Sequence, residues 1–406
     1  MEWLKKVEPL NWLLVMFPVA LVLRWTGASE TWIFLTACMA IVPLAGLMGK
    51  STEILSESVG PGLGGLLNAT FGNAAELIIA IFALQAGQVN VVKGSITGSV
   101  LGNVLLVLGA SFLAGGLKYK RQTFNSTAAG VSSGLLLLAA IGLVIPAIFD
   151  FELRMTGHGA ADGLSARENA ISVEISVVLL VIYCFMLLFS LRTHKHLYAG
   201  EEQQDWDVKP EQPAHEHWPM WLALTVLSVA TVMVAIMSES LVGAIEGTRT
   251  QFGWSEQFVG VIVVAIVGNA AEHSTAVMMA LKNRMELSFQ IAVGSAIQVA
   301  LFVAPVLVLL SYAPGFPRPL DLQFSGLEVV AVLVSVMAIA LVAQDGESNW
   351  LEGVLLLGVY LILGIAFLNL PVTEEPKHEP KPAKVSYVPK QSVDGWPVRA
   401  AYFEVA

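Results

Sequence analysis

Two short blocks carry the residue types that could do chemistry. The stretch GNAAE occurs at residues 72–76 and again at 268–272, each time inside a long apolar run. Each copy supplies a glycine, an amide and a carboxylate, namely Gly72, Asn73 and Glu76, then Gly268, Asn269 and Glu272. Spacings of three and four residues place such groups on one side of a helix. A carboxylate at mid-helix in lipid costs about 2.5–3.5 kcal/mol and usually marks an ion path.

The apolar segments that follow add neutral oxygen ligands. These are Ser99 and Asn103 after the first block, and Ser295 and Gln298 after the second. Carboxylate, amide and hydroxyl oxygens form a site that suits a hard cation, and Ca²⁺ takes about 6–8 such ligands. Two carboxylates in a low-dielectric site need either one divalent cation or two protons to balance them. The residues therefore predict a site that alternates between Ca²⁺ and protons. The alternative is a packing role for each glutamate. It is disfavoured because no Lys or Arg lies deep in a span where it could pair with either carboxylate.

Other titratable groups near the blocks leave their roles open. His273 is either a buried neutral imidazole or a proton relay, and Leu77 stands at its place in the first copy. Glu53, Glu57 and Glu239, at the ends of apolar runs, either line the approaches to the site or face the surface. We assign these four residues, together with Asn103, to a candidate proton-transfer or access path.

Composition shows where these blocks must lie. The chain has 406 residues, 55% hydrophobic and only 13% charged, which excludes an ordinary soluble domain and indicates an integral membrane protein. At roughly 20 apolar residues per span, about eleven transmembrane helices are predicted. The spans lie near residues 9–25, 31–49, 64–87, 92–117, 126–149, 168–191, 218–245, 256–281, 286–312, 324–343 and 349–370. The predicted class is an all-α membrane protein.

The chain contains an internal duplication. A shift of 196 residues superimposes the GNAAE blocks and also Gly98-Ser99 on Gly294-Ser295, with eight identities over 72–103 and 268–299. The halves are spans two to six and seven to eleven. Five helices per half invert the second copy, so the two carboxylates enter from opposite sides of the membrane and meet at one place.

This layout predicts the division of the chain. A lone N-terminal helix occupies 1–30, the first inverted repeat 31–191 and the second 218–370. Residues 192–217 form an acidic linker, read as solvated or as weakly cation-attracting, and 371–406 read as a disordered tail. With alternating loops, eleven Lys and Arg lie on the N-terminal side and six opposite, which predicts a cytoplasmic N-terminus in the cytoplasmic membrane.

The motifs resemble those of the calcium/proton exchanger family, within the cation/calcium exchanger superfamily. The resemblance is carried by NATFGNAAELI at 68–78, GSVLGN at 98–103, VGNAAEH at 267–273 and GSAIQ at 294–298. It spans about residues 30–370 and implies a lone first helix, two inverted five-helix repeats and a cytosolic acidic segment. It further implies that Glu76 and Glu272 bind the cation, aided by carbonyls near Gly72 and Gly268 and by Ser295 and Gln298, with proton rather than sodium coupling.

The sequence thus favours a Ca²⁺/H⁺ antiporter working by alternating access. A Na⁺- or K⁺-coupled exchanger is the nearest alternative, and a passive cation channel is a second. An intramembrane metalloprotease is disfavoured, since the chain contains no H-E-x-x-H motif and only one histidine lies in a predicted span. A transporter without enzymatic activity is expected. The expected partners are Ca²⁺, H⁺ and the lipid bilayer, without nucleic acid and without a resident cofactor.

Overall fold

The computed structural model describes residues 9–59, 64, 67–68, 70–155, 164–194 and 218–371. The first eight residues, most of the predicted acidic linker (195–217) and the predicted tail beyond residue 371 lie outside this part. The described residues form helices almost throughout, which confirms the all-α membrane class.

A short 3₁₀ turn, Pro9–Val15, leads into the helices of the first half. These are α1 (Met16–Trp25), α2 (Glu30–Val59), α3 (Ala74–Gln85), α4 (Val89–Leu101), α5 (Leu108–Lys118), α6 (Ser126–Met155) and α7 (Leu164–Leu188). Two π-helical segments, Gly102–Val107 and Phe189–Thr193, join α4 to α5 and follow α7. Such wide turns are often found at functional sites.

The second half is also built of helices joined by π-helical segments. Its helices are α8 (Met220–Gly243), α9 (Ile245–Phe252), α10 (Glu256–Phe258), α11 (Ala265–Gly268), α12 (Ala270–Leu281), α13 (Met285–Gln298), α14 (Ala304–Leu310), α15 (Gly326–Val342) and α16 (Trp350–Leu368). The π-helical segments Val259–Val264 and Val299–Val303 precede α11 and α14. Helices α3 and α12 both have 12 residues, and α4 and α13 begin 196 positions apart, at Val89 and Met285.

Seven helical stretches of the described chain are long and apolar enough to cross a membrane. They are Glu30–Val59, Val89–Lys118, Ser126–Leu153, Arg167–Thr193, Met220–Gly243, Met285–Leu310 and Trp350–Leu368. An eighth results if Ile245–Phe252 and Glu256–Gly268, bent by 114°, count as one span. Asn11–Trp25, Ala74–Gln85 and Gly326–Val342 are apolar but shorter. The number eleven stays a prediction, and the helix Ile245–Phe252 was not predicted.

One prediction about local geometry was wrong. The glycine, amide and carboxylate of each block were expected on a continuous helix, but Gly72 and Asn73 form a turn and α3 begins only at Ala74. In the second copy a turn at Asn269, with φ −97° and ψ 4°, separates α11 from α12. Glycine and asparagine are poor helix formers, and neighbouring helices can satisfy the backbone groups that such a break frees.

Packing between the halves holds these broken helices in place. Helix α2 runs along α8, α5 runs along α16, and α4 packs against the π-helical segment Val259–Val264. A two-stranded antiparallel sheet pairs Gln122–Thr123 with Glu347–Ser348, with Gln122 opposite Ser348. The buried apolar side chains form two clusters, and each of them combines residues of both halves.

Candidate functional site

Each carboxylate lies in the first turn of a helix that begins inside the protein. Glu76 is the third residue of α3 and Glu272 the third residue of α12. The N-terminus of a helix carries a partial positive charge from its unpaired N–H groups, which stabilises an anionic side chain there. The interruptions at Asn73 and Asn269 therefore create a place where a carboxylate can be held inside the membrane protein.

The first carboxylate belongs to a hydrogen-bonded cluster that combines both halves. Ser99 Oγ donates to Glu76 Oε1 at 2.5 Å, and the side-chain amide of Asn269 donates to the same oxygen. Asn269 Nδ2 also lies 3.0 Å from Ser99 Oγ. Glu76, Ser99 and Asn269 are all buried. An amide from the second half thus helps to hold the carboxylate of the first.

A second cluster repeats this mixing of the halves around Asn73. Its Nδ2 donates to Gln298 Oε1 at 2.6 Å, and Ser295 Oγ donates to Asn73 Oδ1 at 3.3 Å. Asn103 joins the two clusters, because its Nδ2 lies 3.0 Å from Ser295 Oγ and 3.4 Å from Asn269 Oδ1. The predicted polar residues of both repeats therefore form one connected network.

Several oxygens of this network are left without a hydrogen-bond partner. Glu76 Oε2, Glu272 Oε2 and Asn103 Oδ1 are buried and unpaired. Gly268, of the same block as Glu272, lies next to Glu76 Cγ, so the two blocks meet here. Buried acceptors normally have a partner, and an unpaired carboxylate oxygen is costly. The arrangement provides free oxygen ligands that a cation or a proton would satisfy.

The side chains at this site offer oxygen atoms as ligands. They do not form a cluster of acids, thiols or imidazoles. Within the described residues, no group of three or more His, Cys, Asp or Glu could hold a metal ion. Any cation here would bind two carboxylates together with neutral amide and hydroxyl oxygens, the mixture that suits Ca²⁺.

The two carboxylates differ in their access to solvent. Glu76 is only 6% exposed, whereas Glu272 lines a cavity of about 290 Å³. The cavity is lined by Asn68, Gly72, Glu272, Leu287, Gln290, Ile291, Gly294, Ser295 and Gln298. Asn68 and Leu287 are exposed, so the cavity opens to the surface at these residues. We call this side of the protein the open face.

On the opposite side, glycines allow helices to close over the site. A methyl group added to Gly98 would lie 2.1 Å from the carbonyl oxygen of Val261, and one added to Gly260 would lie 2.4 Å from that of Val91. Close approach of backbones at small residues is a common mode of helix packing in membranes. Helix α4 and the segment Val259–Val264 therefore seal this side, which we call the closed face.

The block glycines also contact the site directly. A methyl group on Gly268 would lie 3.0 Å from Glu76 Cγ, and one on Gly72 would lie 3.9 Å from Gln298 Oε1. Each glycine thus approaches a residue of the opposite half, and a larger side chain at Gly268 would displace the carboxylate of Glu76.

The remaining predicted residues are placed in different surroundings. His273 lies beside Gly102, and its Nε2 is buried without a partner. Glu53 and Glu57 are exposed on the last turns of α2. Glu239 is exposed and forms an ion pair of 2.7 Å with Arg24, which joins α1 to α8. Among the residues that the structure describes, no hydrogen bond or ion pair joins these three acids to the network, and their role in access stays a prediction.

Sequence reasoning missed two parts of the site. Gln290 and Leu287 line the open cavity, but a single glutamine in an apolar helix gave no signal by itself. The breaks at Gly72–Asn73 and Asn269 were also missed, although the Gly-Asn pair in each block could have indicated them.

Comparison with known proteins gives a consistent result. The family model described as sodium/calcium exchanger protein matches residues 29–192 and 222–368. A Ca²⁺/H⁺ antiporter of Aphanothece halophytica is 44% identical over 371 residues, covering 89% of this chain and 97% of that protein. The Ca²⁺/H⁺ antiporter ChaA of Bacillus subtilis is 46% identical over 349 residues, covering 86% and 94%.

Solved structures agree with these sequence relationships. The native structure of YfkE superimposes with a TM-score of 0.74 at 41% identity, covering 89% of this chain and 100% of that one. A structure of the H⁺/Ca²⁺ exchanger CAX, at 15% identity, shares the fold with a TM-score of 0.58 over 88% of this chain. The chain therefore belongs to the sodium/calcium exchanger protein family.

Proposed function

We propose that this protein is a Ca²⁺/H⁺ antiporter in which Glu76 and Glu272 form one site that holds either Ca²⁺ or protons. The observation that carries the proposal is that both carboxylates have a buried oxygen without a partner at the place where the two GNAAE blocks meet. In the described part of the chain, no ion pair reaches either carboxylate. Relatives at 44–46% identity are named Ca²⁺/H⁺ antiporters, which supports this choice of ions.

Charge balance explains why the two ions would exclude each other. Two ionised carboxylates in a low-dielectric site repel each other, and one Ca²⁺ or two protons neutralise the same charge. Ca²⁺ would bind the free oxygens of Glu76 and Glu272, with Asn103 Oδ1 and the amide and hydroxyl oxygens around them completing the ligands. Binding of one ion then requires release of the other, which couples their movement.

The neutral residues have positioning roles in this proposal. Ser99 and Asn269 orient Glu76. Ser295 and Gln298 line the cavity beside Glu272, and Asn73 positions both of them through its hydrogen bonds. Asn103 connects the two groups and would transmit a rearrangement at one carboxylate to the other. Gly72 and Gly268 allow the two halves to approach each other closely.

The halves are proposed to be inverted repeats, preceded by a lone first helix, that give access from alternate sides. Lys118 Nζ hydrogen-bonds to the carbonyl of Leu281, so both lie on the open face, whereas Arg318 contacts the carbonyl of Gly87 on the closed face. The Lys and Arg bias of the loops assigns the open face to the cytoplasm. Single cysteines at Lys282 and Arg318 should therefore be labelled from opposite sides, and labelling from the same side would contradict the inversion.

Transport by the purified protein in liposomes tests the proposed activity. An imposed pH gradient should drive Ca²⁺ uptake in the absence of Na⁺ and K⁺ gradients, with a rate that saturates with Ca²⁺. Uptake driven only by a Na⁺ or K⁺ gradient would indicate a related cation exchanger. Ca²⁺ flux that neither saturates nor requires a counter-ion would indicate a channel.

A further inference from the structure

A buried lysine that the proposed exchange site does not use lies near the start of α4. Lys93 is 9% exposed, and its ammonium group lies 2.5 Å from Asp321 Oδ1 and 2.8 Å from the carbonyl oxygen of Gln323. Asp321 Oδ1 also accepts the backbone N–H of Gln323 at 2.8 Å. The loop before α15 therefore holds the ammonium group with two acceptors.

This ion pair crosses the closed face. Lys93 directly precedes Gly94, whose added methyl group would lie 3.1 Å from the Cα of Gly260. One turn further along α4, Gly98 meets Val261 in the same close contact. The pair thus links the helix that seals the site to the loop before α15. Opening of this face by movement of α4 away from that loop would separate Lys93 from Asp321.

The matching position on the open face is built differently. Phe289 stands 196 residues after Lys93, at the same place in α13. Its ring stacks on Phe124 with the centroids 4.8 Å apart. Salt screens a partly exposed ion pair but leaves an aromatic contact largely unaffected. The two faces therefore hold equivalent helices by contacts that respond to different conditions.

We propose that Lys93, held by Asp321 and the Gln323 carbonyl, is a latch that keeps the closed face shut. The latch is a positioning device, since Lys93 does not touch the ion-binding network. It rests on the alternating access proposed above, because each cycle must break and re-form the pair when the closed face opens. Its strength then sets the fraction of time for which Glu76 is reachable from that face.

Cysteine accessibility measures the latch without transport. The reporter position is Ser95, which is 8% exposed and lies next to the close contact of α4. A Ser95→Cys variant is made in a protein whose two described cysteines, Cys38 and Cys184, are replaced by alanine. A membrane-impermeant thiol reagent is applied to the closed face, without Ca²⁺ and without a pH gradient. Lys93→Met keeps the apolar stem of the side chain and removes its charge. Lys118→Met, on the open face, is the matched control.

The expected result is an increase in the labelling rate of about fivefold or more in Lys93→Met and in Asp321→Asn, the scale of a charge-assisted contact. The control should label at the rate of the parent. High salt on the closed face should speed labelling in the parent and have little effect in Lys93→Met.

Two outcomes would overturn the latch. One is labelling at the parent rate in both single variants, and the other is an equal rise in the labelling rate of the Lys118→Met control. Retained Ca²⁺ binding in detergent separates a loosened face from a misfolded protein. Because labelling requires no exchange, a latch effect in a protein that fails the liposome assay would refute the proposed function while leaving the latch intact.

Discussion

Helices α4 and α13 occupy matching places in the two halves, yet only one of them faces open space. In α4 the positions Val91, Gly94, Ser95 and Gly98 are all buried. Their counterparts 196 residues later, Leu287, Gln290, Ile291 and Gly294, line the cavity on the open face. Equivalent positions of the two helices therefore differ in packing, with α4 closed in and α13 facing the cavity.

This difference in packing indicates how two inverted repeats could produce alternating access. Suppose that the two halves exchanged their packing. Helix α13 would then close the open face, and α4 would line a new cavity that reaches Glu76. The shared network of Asn73, Asn103 and Asn269 would stay at the centre of both states. Substitutions that act on one half but not on the other test whether the two helices are equivalent.

The largest expected effect comes from the two carboxylates, where the halves should behave alike despite their different exposure. Glu76→Gln or Glu272→Gln leaves a divalent cation facing one negative charge in a site of low dielectric. Ca²⁺ affinity should fall by about 100-fold, or ~3 kcal/mol, and coupled exchange should stop in either variant. Isothermal titration and liposome uptake measure the two effects. A large loss in one variant only would show that the carboxylates do not act as one site.

Glycines of the two helices should give opposite shifts of access. Gly98→Ala places a methyl group 2.1 Å from the carbonyl oxygen of Val261, which should weaken closure of that face by about 1–3 kcal/mol. Gly294 has no atom within 4 Å of an added methyl group, so Gly294→Ala fits the present state and should hinder closure of the open face.

Both glycine variants should slow exchange, and only Gly98→Ala should expose Ser95→Cys to thiol reagents from the closed face. The same labelling pattern in both variants would contradict the repeat comparison. Retained Ca²⁺ binding in detergent serves as the folding control for both.

A smaller effect is expected at His273, which has no counterpart in the first half. Its Nε2 makes no hydrogen bond in the structure, and Leu77 stands at the equivalent position. His273→Gln should retain exchange within about tenfold of the wild-type rate, with a shifted pH optimum, because a titratable group beside the site is lost. The pH profile of uptake measures this shift. Complete loss of exchange with intact Ca²⁺ binding would instead identify His273 as a required proton relay.

The smallest effect is expected at Glu239, an acid of α8 that was predicted to line an approach to the site. Its ion pair with Arg24 is exposed, and such pairs contribute about 0–1 kcal/mol. Glu239→Gln should leave the exchange rate within about twofold of wild type at all Ca²⁺ concentrations. A raised KM for Ca²⁺ with an unchanged maximal rate would restore the access role.

The sequence predicted the chemistry of the site better than its shape. Repetition of GNAAE and Gly-Ser identified Glu76, Glu272, Ser99 and Ser295, because charge and hydroxyl groups in an apolar run require a reason. The turn at Gly72–Asn73 could not be placed, since surrounding helices decide whether such residues bend a membrane helix. The breaks are nevertheless what bring each carboxylate to a helix N-terminus.

Long-range pairing and conformational state were beyond prediction for a different reason. Lys93 and Asp321 are 228 residues apart, and no local pattern relates them. The contrast between Gly98 and Gly294 is also absent from the sequence, where both glycines occupy the same repeat position. The structure shows that the helix around Gly98 is closed in and the helix around Gly294 faces the cavity.

Ca²⁺ binding measured as a function of pH tests whether Ca²⁺ and protons share one site. If Ca²⁺ and protons share the oxygens of Glu76 and Glu272, Ca²⁺ must displace protons, and the apparent Kd should rise as the pH falls. Each proton displaced should weaken binding by up to about tenfold per pH unit. The wild-type protein should show this rise, with a shallower slope in Glu76→Gln and Glu272→Gln. A Kd that stays constant across the pH range in the wild type would show that protons and Ca²⁺ use separate sites.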